Sequence, residues 1–161
     1  VQPGKRIADA VARINDLIYS NTPSDQFITF FIGIYNRGNG VFSYVNAGHN
    51  PPYLLKSNGE IGELHEGGII LGVMPGMPYE QGNVELSKGD SIFLYTDGVT
   101  EAKAPDGEMY EEERLREFLR NHAGEPLDEI MISLEKDVQT FSDNEPFDDD
   151  FTLLACRVIP G

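Results

Sequence analysis

The sequence predicts an α/β (α+β) fold in which helices cover antiparallel β-sheets. Three observations predict it. An amphipathic helical pattern opens the chain, short β-rich runs bounded by Gly, Pro, Asn or Asp fill its middle, and two further helical patterns followed by an apolar run close it. In the first pattern Ile7, Ala10, Val11, Ile14, Leu17 and Ile18 recur at three-and-four spacing, with Lys5, Arg6, Asp9, Arg13 and Asp16 between them. Aromatic and β-branched residues then run from Phe27 to Tyr35. Arg37-Gly38-Asn39-Gly40 supplies a turn and Val41 to Val45 a second run, which is a hairpin signal. Short strands are expected at Tyr53 to Lys56, Glu60 to Leu64, Asn83 to Leu86 and Ser91 to Tyr95. Helices follow over Glu111 to Asn121, with Leu115, Phe118 and Leu119 on one face, and over Pro126 to Phe141, with Leu127, Ile130, Met131, Leu134 and Val138 on one face and Pro126 in the first turn. The apolar continuity of Phe151 to Val158 reads as a buried closing strand.

A chain of 161 residues suits one domain, so 1–161 is read as a single one. Twelve Lys and Arg stand against 27 Asp and Glu, a net charge of -15 that would repel nucleic-acid phosphates and anionic membranes over most of the surface. The chain has no long uncharged apolar run and no signal-peptide pattern at its start. The lone Cys156, set in an apolar run, reads as a buried thiol in a reducing compartment, so the expected location is cytoplasmic.

Two aspartate motifs stand at the ends of strand-like segments. Tyr95-Thr96-Asp97-Gly98-Val99-Thr100-Glu101 continues the apolar Ile92-Phe93-Leu94, and Gly98 lets the backbone turn and approach a bound group. Asp148-Asp149-Asp150-Phe151-Thr152 precedes Leu153-Leu154-Ala155, so one carboxylate at each strand end would meet its counterpart across a sheet. Converging carboxylates repel, by about 4 kcal/mol at about 4 Å and an effective dielectric near 20. Few bases lie nearby in sequence, and a hard divalent cation answers the need, since Mg²⁺ and Mn²⁺ take carboxylate and water oxygens. His49, His65 and His122 have no ligand spacing. Taken singly, each motif also reads as an ordinary Asp-Gly turn or a solvated acidic loop. A haloacid-dehalogenase-like nucleophile loop is excluded because Tyr95 stands where its first aspartate belongs. An EF-hand is excluded because Asp143 to Thr152 lacks the central glycine and terminal glutamate. The chain also has no Gly-Lys-Ser/Thr phosphate loop and no Gly-x-Ser-x-Gly elbow.

In order along the chain, Tyr44-Val45-Asn46-Ala47-Gly48-His49-Asn50-Pro51-Pro52, Leu71-Gly72-Val73, Gly89-Asp90 with Tyr95 to Ala102, and Asp149-Asp150-Phe151-Thr152 resemble successive blocks of the bacterial PPM (PP2C-like) serine/threonine phosphatases of the SpoIIE/RsbU type. The resemblance implies a sandwich of two antiparallel sheets flanked by helices, with Mn²⁺ or Mg²⁺, two ions in the intact domain, held by aspartates at one edge. It makes Asp97 and Asp149 the metal-binding and catalytic acids and Asp148 a neighbour. Asp150 stands where animal relatives carry asparagine, as a supporting group beside Gly98; alternation along an incoming strand would turn Asp148 and Asp150 away from Asp149. Gly48 and His49 are expected to shape an inter-strand loop, and Met74 to Pro78 another.

Two earlier acidic blocks of that family, Gly-Asp-x-x-Asp-like and Asp-Val-x-Gly-His-Gly-like, have no counterpart in the sequence. The expectation is therefore an N-terminally truncated domain lacking its first strands, weakly active or inactive by itself. The resemblance also implies an N-terminal sensor domain and a phosphorylated anti-anti-sigma factor, or a similar small phosphoprotein, as substrate. The alternative is a non-catalytic phosphatase-fold module that binds a regulatory partner.

Overall fold

The computed structural model describes residues 6–23, 25–147 and 149–159. The chain divides into two compact units, Val1–Pro51 with Leu64–Leu86, and Pro52–Glu63 with Ser87–Gly161.

In the first unit, helix α1 (Ile7–Asn21) packs on a sheet built from β1 (Phe30–Asn36), β2 (Val41–Ala47), β5 (Gly67–Gly68) and β6 (Gly82–Glu85). The expected hairpin joins β1 to β2 in antiparallel register from Phe30 opposite Ala47 to Asn36 opposite Val41. Its turn is closed by the Gly40 amide donating to the Asn36 carbonyl at 2.9 Å. The β6 strand pairs antiparallel with β2, and the two-residue β5, which no sequence signal announced, pairs parallel with it. Ile7, Ala8 and Val11 bury against Val45, Ala47, Leu71 and Tyr79. Each large aliphatic side chain removed from water contributes about 1.5–3 kcal/mol.

The buried stripe of α1 differs from the expected one. Ala10 and Leu17 face solvent, Leu17 at 63% exposure, while Ala8 and Asn15 are buried. Asn15 explains the rotation, since its Nδ2 donates to the Met74 carbonyl at 2.8 Å and its Oδ1 accepts the Gly72 amide at 3.0 Å. A hydrogen-bonded polar side chain thus occupies a place that periodicity assigns to an apolar one. The first strand starts three residues later than expected, leaving Phe27 61% exposed.

In the second unit a sheet runs in the order β4 (Ile61–Glu63), β3 (Tyr53–Leu55), β7 (Ser91–Tyr95), β8 (Leu153–Arg157), antiparallel throughout. Helices α3 (Glu111–Asn121) and α4 (Leu127–Phe141) cover one face. Tyr53, Leu55, Phe93 and Tyr95 pack there against Leu115, Leu119, Ile130, Leu134 and Val138, the helix faces that the spacing predicts. Arg116 of α3 pairs with Glu63 of β4 and lies over the Tyr53 ring at 5.6 Å, which fixes the helix on the sheet. Pro126 is the N-cap of α4 and precedes its first turn.

The closing strand is not buried as expected. It occupies the sheet edge and alternates, with Leu154 58% exposed and Cys156 exposed, so Cys156 is not a buried thiol. Only one face of β8 is covered, and its continuous apolar run therefore marks no two-sided burial.

Candidate functional site

The second unit brings the two aspartate motifs together through the pairing of β7 with β8. Tyr95 is opposite Leu153, so the residues just after β7 and just before β8 lie side by side. The start of β7 is fixed by Asp90, which is 2% exposed. Its carboxylate accepts the amides of Ser87 at 2.8 Å and Ser57 at 2.9 Å and pairs with Lys56 Nζ at 3.0 Å. Burial would raise the Asp90 pKa, but these donors outweigh it and hold the carboxyl below its ordinary value.

Past Tyr95 the backbone leaves the strand at Thr96 and enters a one-turn helix, α2 (Asp97–Thr100), in place of the simple turn that Asp-Gly suggests. Asp97 is the first helical residue and is exposed; its carbonyl accepts the Glu101 amide at 2.7 Å, and its Oδ1 the Gly98 amide at 3.1 Å. Asp149 is also exposed, and its Oδ1 accepts the next amide, that of Asp150, at 2.7 Å. Each carboxylate is thus oriented by the N–H that follows it.

The two turns touch at Gly98. A Cβ there would lie 2.5 Å from the Asp150 carbonyl oxygen and 3.2 Å from that of Asp149. Real carbon–oxygen contacts do not come that close, so only glycine admits the second turn. Asp150 joins the arrangement through its carbonyl, which accepts the Thr96 hydroxyl at 2.7 Å. The alternation argument for Asp148 and Asp150 does not apply, because β8 begins only at Leu153, and Asp148 lies outside the described residues. Tyr95 and Val99, on either side of the Asp97-Gly98 turn, are buried in the apolar core. Burial, then the neighbouring Tyr53, pushes the Tyr95 phenol far above its ordinary pKa, which leaves it neutral and structural.

Among the described residues no group of three or more His, Cys, Asp or Glu is placed to hold a metal ion. The donors at the paired turns are hard carboxylate oxygens, of the type Mg²⁺ or Mn²⁺ takes, but two carboxylates are fewer than the roughly six oxygens such ions collect.

Gly48 and His49 belong to the first unit. Gly48 has φ +77° and a Cβ there would fall 2.0 Å from Ile70 Cγ2, so the loop after β2 requires glycine twice over. The Asn46 side chain ties this loop. Its Oδ1 accepts the His49 amide at 2.8 Å, and its Nδ2 donates to the His49 carbonyl at 3.0 Å and the Leu64 carbonyl at 3.3 Å. Sequence reasoning assigned no role to Asn46, Asp90 or Thr96 individually. The one available signal was their position inside the quoted blocks, each a short polar residue next to a turn.

Comparison with solved structures places this architecture among PP2C-type phosphatase domains. The SiaA-PP2C domain of Pseudomonas aeruginosa superposes with a TM-score of 0.81 at 21% identity, over 94% of this chain and 60% of that one. The SpoIIE phosphatase domain of Bacillus subtilis, from an Mn-presoaked crystal, gives 0.72 at 15% identity, over 99% of this chain and 69% of that one. The family model described as Stage II sporulation protein E (SpoIIE) matches residues 1–159, and the chain belongs to that family. Phosphoserine phosphatase RsbU of Bacillus subtilis is 29% identical over 157 residues, covering 97% of this chain and 46% of RsbU. The chain spans less than half the length of the curated relatives it matches. Among the described residues no helix is long and apolar enough to cross a membrane.

Proposed function

We propose that this chain is the larger part of a metal-dependent phosphatase domain that hydrolyses phosphoserine or phosphothreonine on a bacterial regulatory protein. The observation that carries the reading is the contact of the Asp97-Gly98 turn with the Asp149-Asp150 turn, in a member of a family whose relative RsbU is a phosphoserine phosphatase. Asp97 and Asp149 hold the cation, each carboxylate steadied by the amide that follows it. When bound there, Mn²⁺ or Mg²⁺ would supply Lewis acidity toward water and phosphoryl oxygen. Carboxylates from an upstream segment complete the donor set, consistent with the two acidic blocks absent from these 161 residues.

The substrate is a phosphorylated anti-anti-sigma factor or a similar small phosphoprotein, and a sensor domain precedes the catalytic one. The net charge of -15 favours such a protein partner over nucleic acid. The expected location is the cytoplasm. A second reading, a phosphatase-fold module that only binds its partner, is favoured by the small donor set among the described residues.

The test measures phosphate release from a phosphoserine protein against Mn²⁺ concentration. It compares the 161-residue chain with the protein extended through the upstream acidic blocks. The proposal expects feeble metal binding and little turnover from the chain alone, and Mn²⁺-dependent turnover from the extended protein. An extended protein that binds Mn²⁺ and its partner yet releases no phosphate would favour the binding module.

A further inference from the structure

We infer that Thr96 is a positioning residue whose hydroxyl latches the Asp149-Asp150 turn onto the Asp97 turn and so sets the relation between the two acids. The inference rests on the metal-dependent reading above and adds a role for a side chain that holds no metal itself.

One hydrogen bond of the β7–β8 ladder is replaced at its end. In an antiparallel sheet, a hydrogen-bonded pair exchanges both N–H and C=O groups. Thr96 and Thr152, the pair just beyond Tyr95 and Leu153, make half of that exchange: the Thr96 amide donates to the Thr152 carbonyl at 3.1 Å. The returning Thr152 amide goes to the Thr96 hydroxyl oxygen at 3.0 Å instead of the Thr96 carbonyl. That carbonyl accepts the Val99 amide at 3.0 Å, the first bond that turns the chain into α2. The hydroxyl therefore stands in for a main-chain acceptor. It lets β7 become a helix at Asp97 without releasing the segment entering β8.

The same hydroxyl uses its proton on the Asp150 carbonyl at 2.7 Å, so one side-chain oxygen holds the second turn at two points. A threonine at a helix N-cap ordinarily accepts an N–H of the helix's first turn. Here no such side-chain cap is made, and the group is committed across the sheet. Gly98 is the permissive counterpart, because the Asp150 carbonyl held by Thr96 lies where any Cβ at position 98 would be. One residue pulls the turn in and the other leaves it room. Asp149, whose carboxylate is tied to the Asp150 amide, is the residue next to this held carbonyl and is carried with it.

Thr96→Val keeps the shape and β-branching and removes both bonds, while Thr96→Ser keeps both. The experiment uses the upstream-extended protein. Mn²⁺ binding is followed by electron paramagnetic resonance, turnover by phosphate release, and the Thr152 amide by hydrogen exchange in metal-free protein. Thr96→Val is expected to weaken Mn²⁺ binding about 10- to 100-fold, as loss of a group supporting a ligand does. Turnover at saturating Mn²⁺ changes far less, and Thr152 exchanges faster. Thr96→Ser is expected to stay near wild type in all three. Should Thr96→Val not fold, Thr96→Ala takes its place against the same serine control. Wild-type Mn²⁺ affinity in the hydroxyl-free variant, or a serine variant as weak as it, would overturn the inference. Should the wild-type protein bind no Mn²⁺, the functional reading fails, and unchanged Thr152 exchange in Thr96→Val would separately refute the latch.

Discussion

Replacing Gly98 with alanine probes the contact between the two acid turns most sharply. The new Cβ would lie 2.5 Å from the Asp150 oxygen and 2.9 Å from its carbonyl carbon, both backbone atoms that no side-chain rotation can clear. A carbon–oxygen contact relaxes at about 3.3 Å, so the Asp150 peptide must retreat by roughly 0.8 Å. That movement would stretch the 2.7 Å bond from the Thr96 hydroxyl to about the limit of a hydrogen bond. Overpacking of this kind costs about 1–3 kcal/mol, and a lost hydrogen bond about 1 kcal/mol. Alanine's better helix propensity returns at most about 1 kcal/mol. The net loss of about 1–3 kcal/mol lowers Tm by roughly 2–4 °C for each kcal/mol in a domain of this size. Gly62→Ala is the control, since a Cβ there meets nothing within 4 Å. Thermal unfolding and Mn²⁺ titration of both variants in the extended protein are the assays. Gly98→Ala melting with Gly62→Ala and binding Mn²⁺ like wild type would refute the argument.

Asp90→Asn replaces a buried carboxylate that accepts two amides and pairs with Lys56, and is expected to lose about 1.5–3 kcal/mol in urea unfolding. Because the folded carboxyl pKa lies below its ordinary value, its contribution is complete above about pH 4 and fades as pH falls below that. The wild-type advantage over Asp90→Asn should therefore shrink in acid, and a constant difference down to pH 2 would contradict this assignment. Leu119→Ala empties a fully buried position on α3 and should cost about 2–5 kcal/mol by the same unfolding assay.

Where one face of an element meets the core and the other meets water, the sequence was a sufficient guide. Leu115, Phe118 and Leu119 on α3, and Ile130, Leu134 and Val138 on α4, follow the helical period into the core. The hairpin itself, though not its register, was announced by its turn residues between two β-rich runs. Periodicity misleads where a polar contact replaces apolar packing or where one face of a strand is left uncovered. Asn15 rotates the α1 stripe through bonds to a loop about 60 residues away, and periodicity carries no information about such a partner. The closing run looked buried because Leu and Ala continue along it, yet only one of its faces is covered, which leaves alternate residues in water. At the site, the proximity of the Asp97 and Asp149 motifs was legible from strand ends and from the block order. The devices that join them were not. A hydroxyl substituting for a carbonyl at Thr96, and a carbonyl seated over Gly98, are three-dimensional relations between segments 54 residues apart.

The central claim is that Asp97 and Asp149 act together on one metal-dependent reaction. The most direct measurement is the rate of phosphate release from a phosphoserine protein across Mn²⁺ concentrations. It compares the extended wild type with Asp97→Asn, Asp149→Asn, Asp150→Asn and the exposed-acid control Asp143→Asn. Asp97→Asn and Asp149→Asn are expected to lose nearly all Mn²⁺-dependent turnover, Asp150→Asn, which keeps the main-chain bonds to Thr96 and Asp149, to fall far less than either, and Asp143→Asn to match wild type. Full turnover in Asp149→Asn, or a loss in Asp143→Asn as large as in Asp97→Asn, would contradict the account.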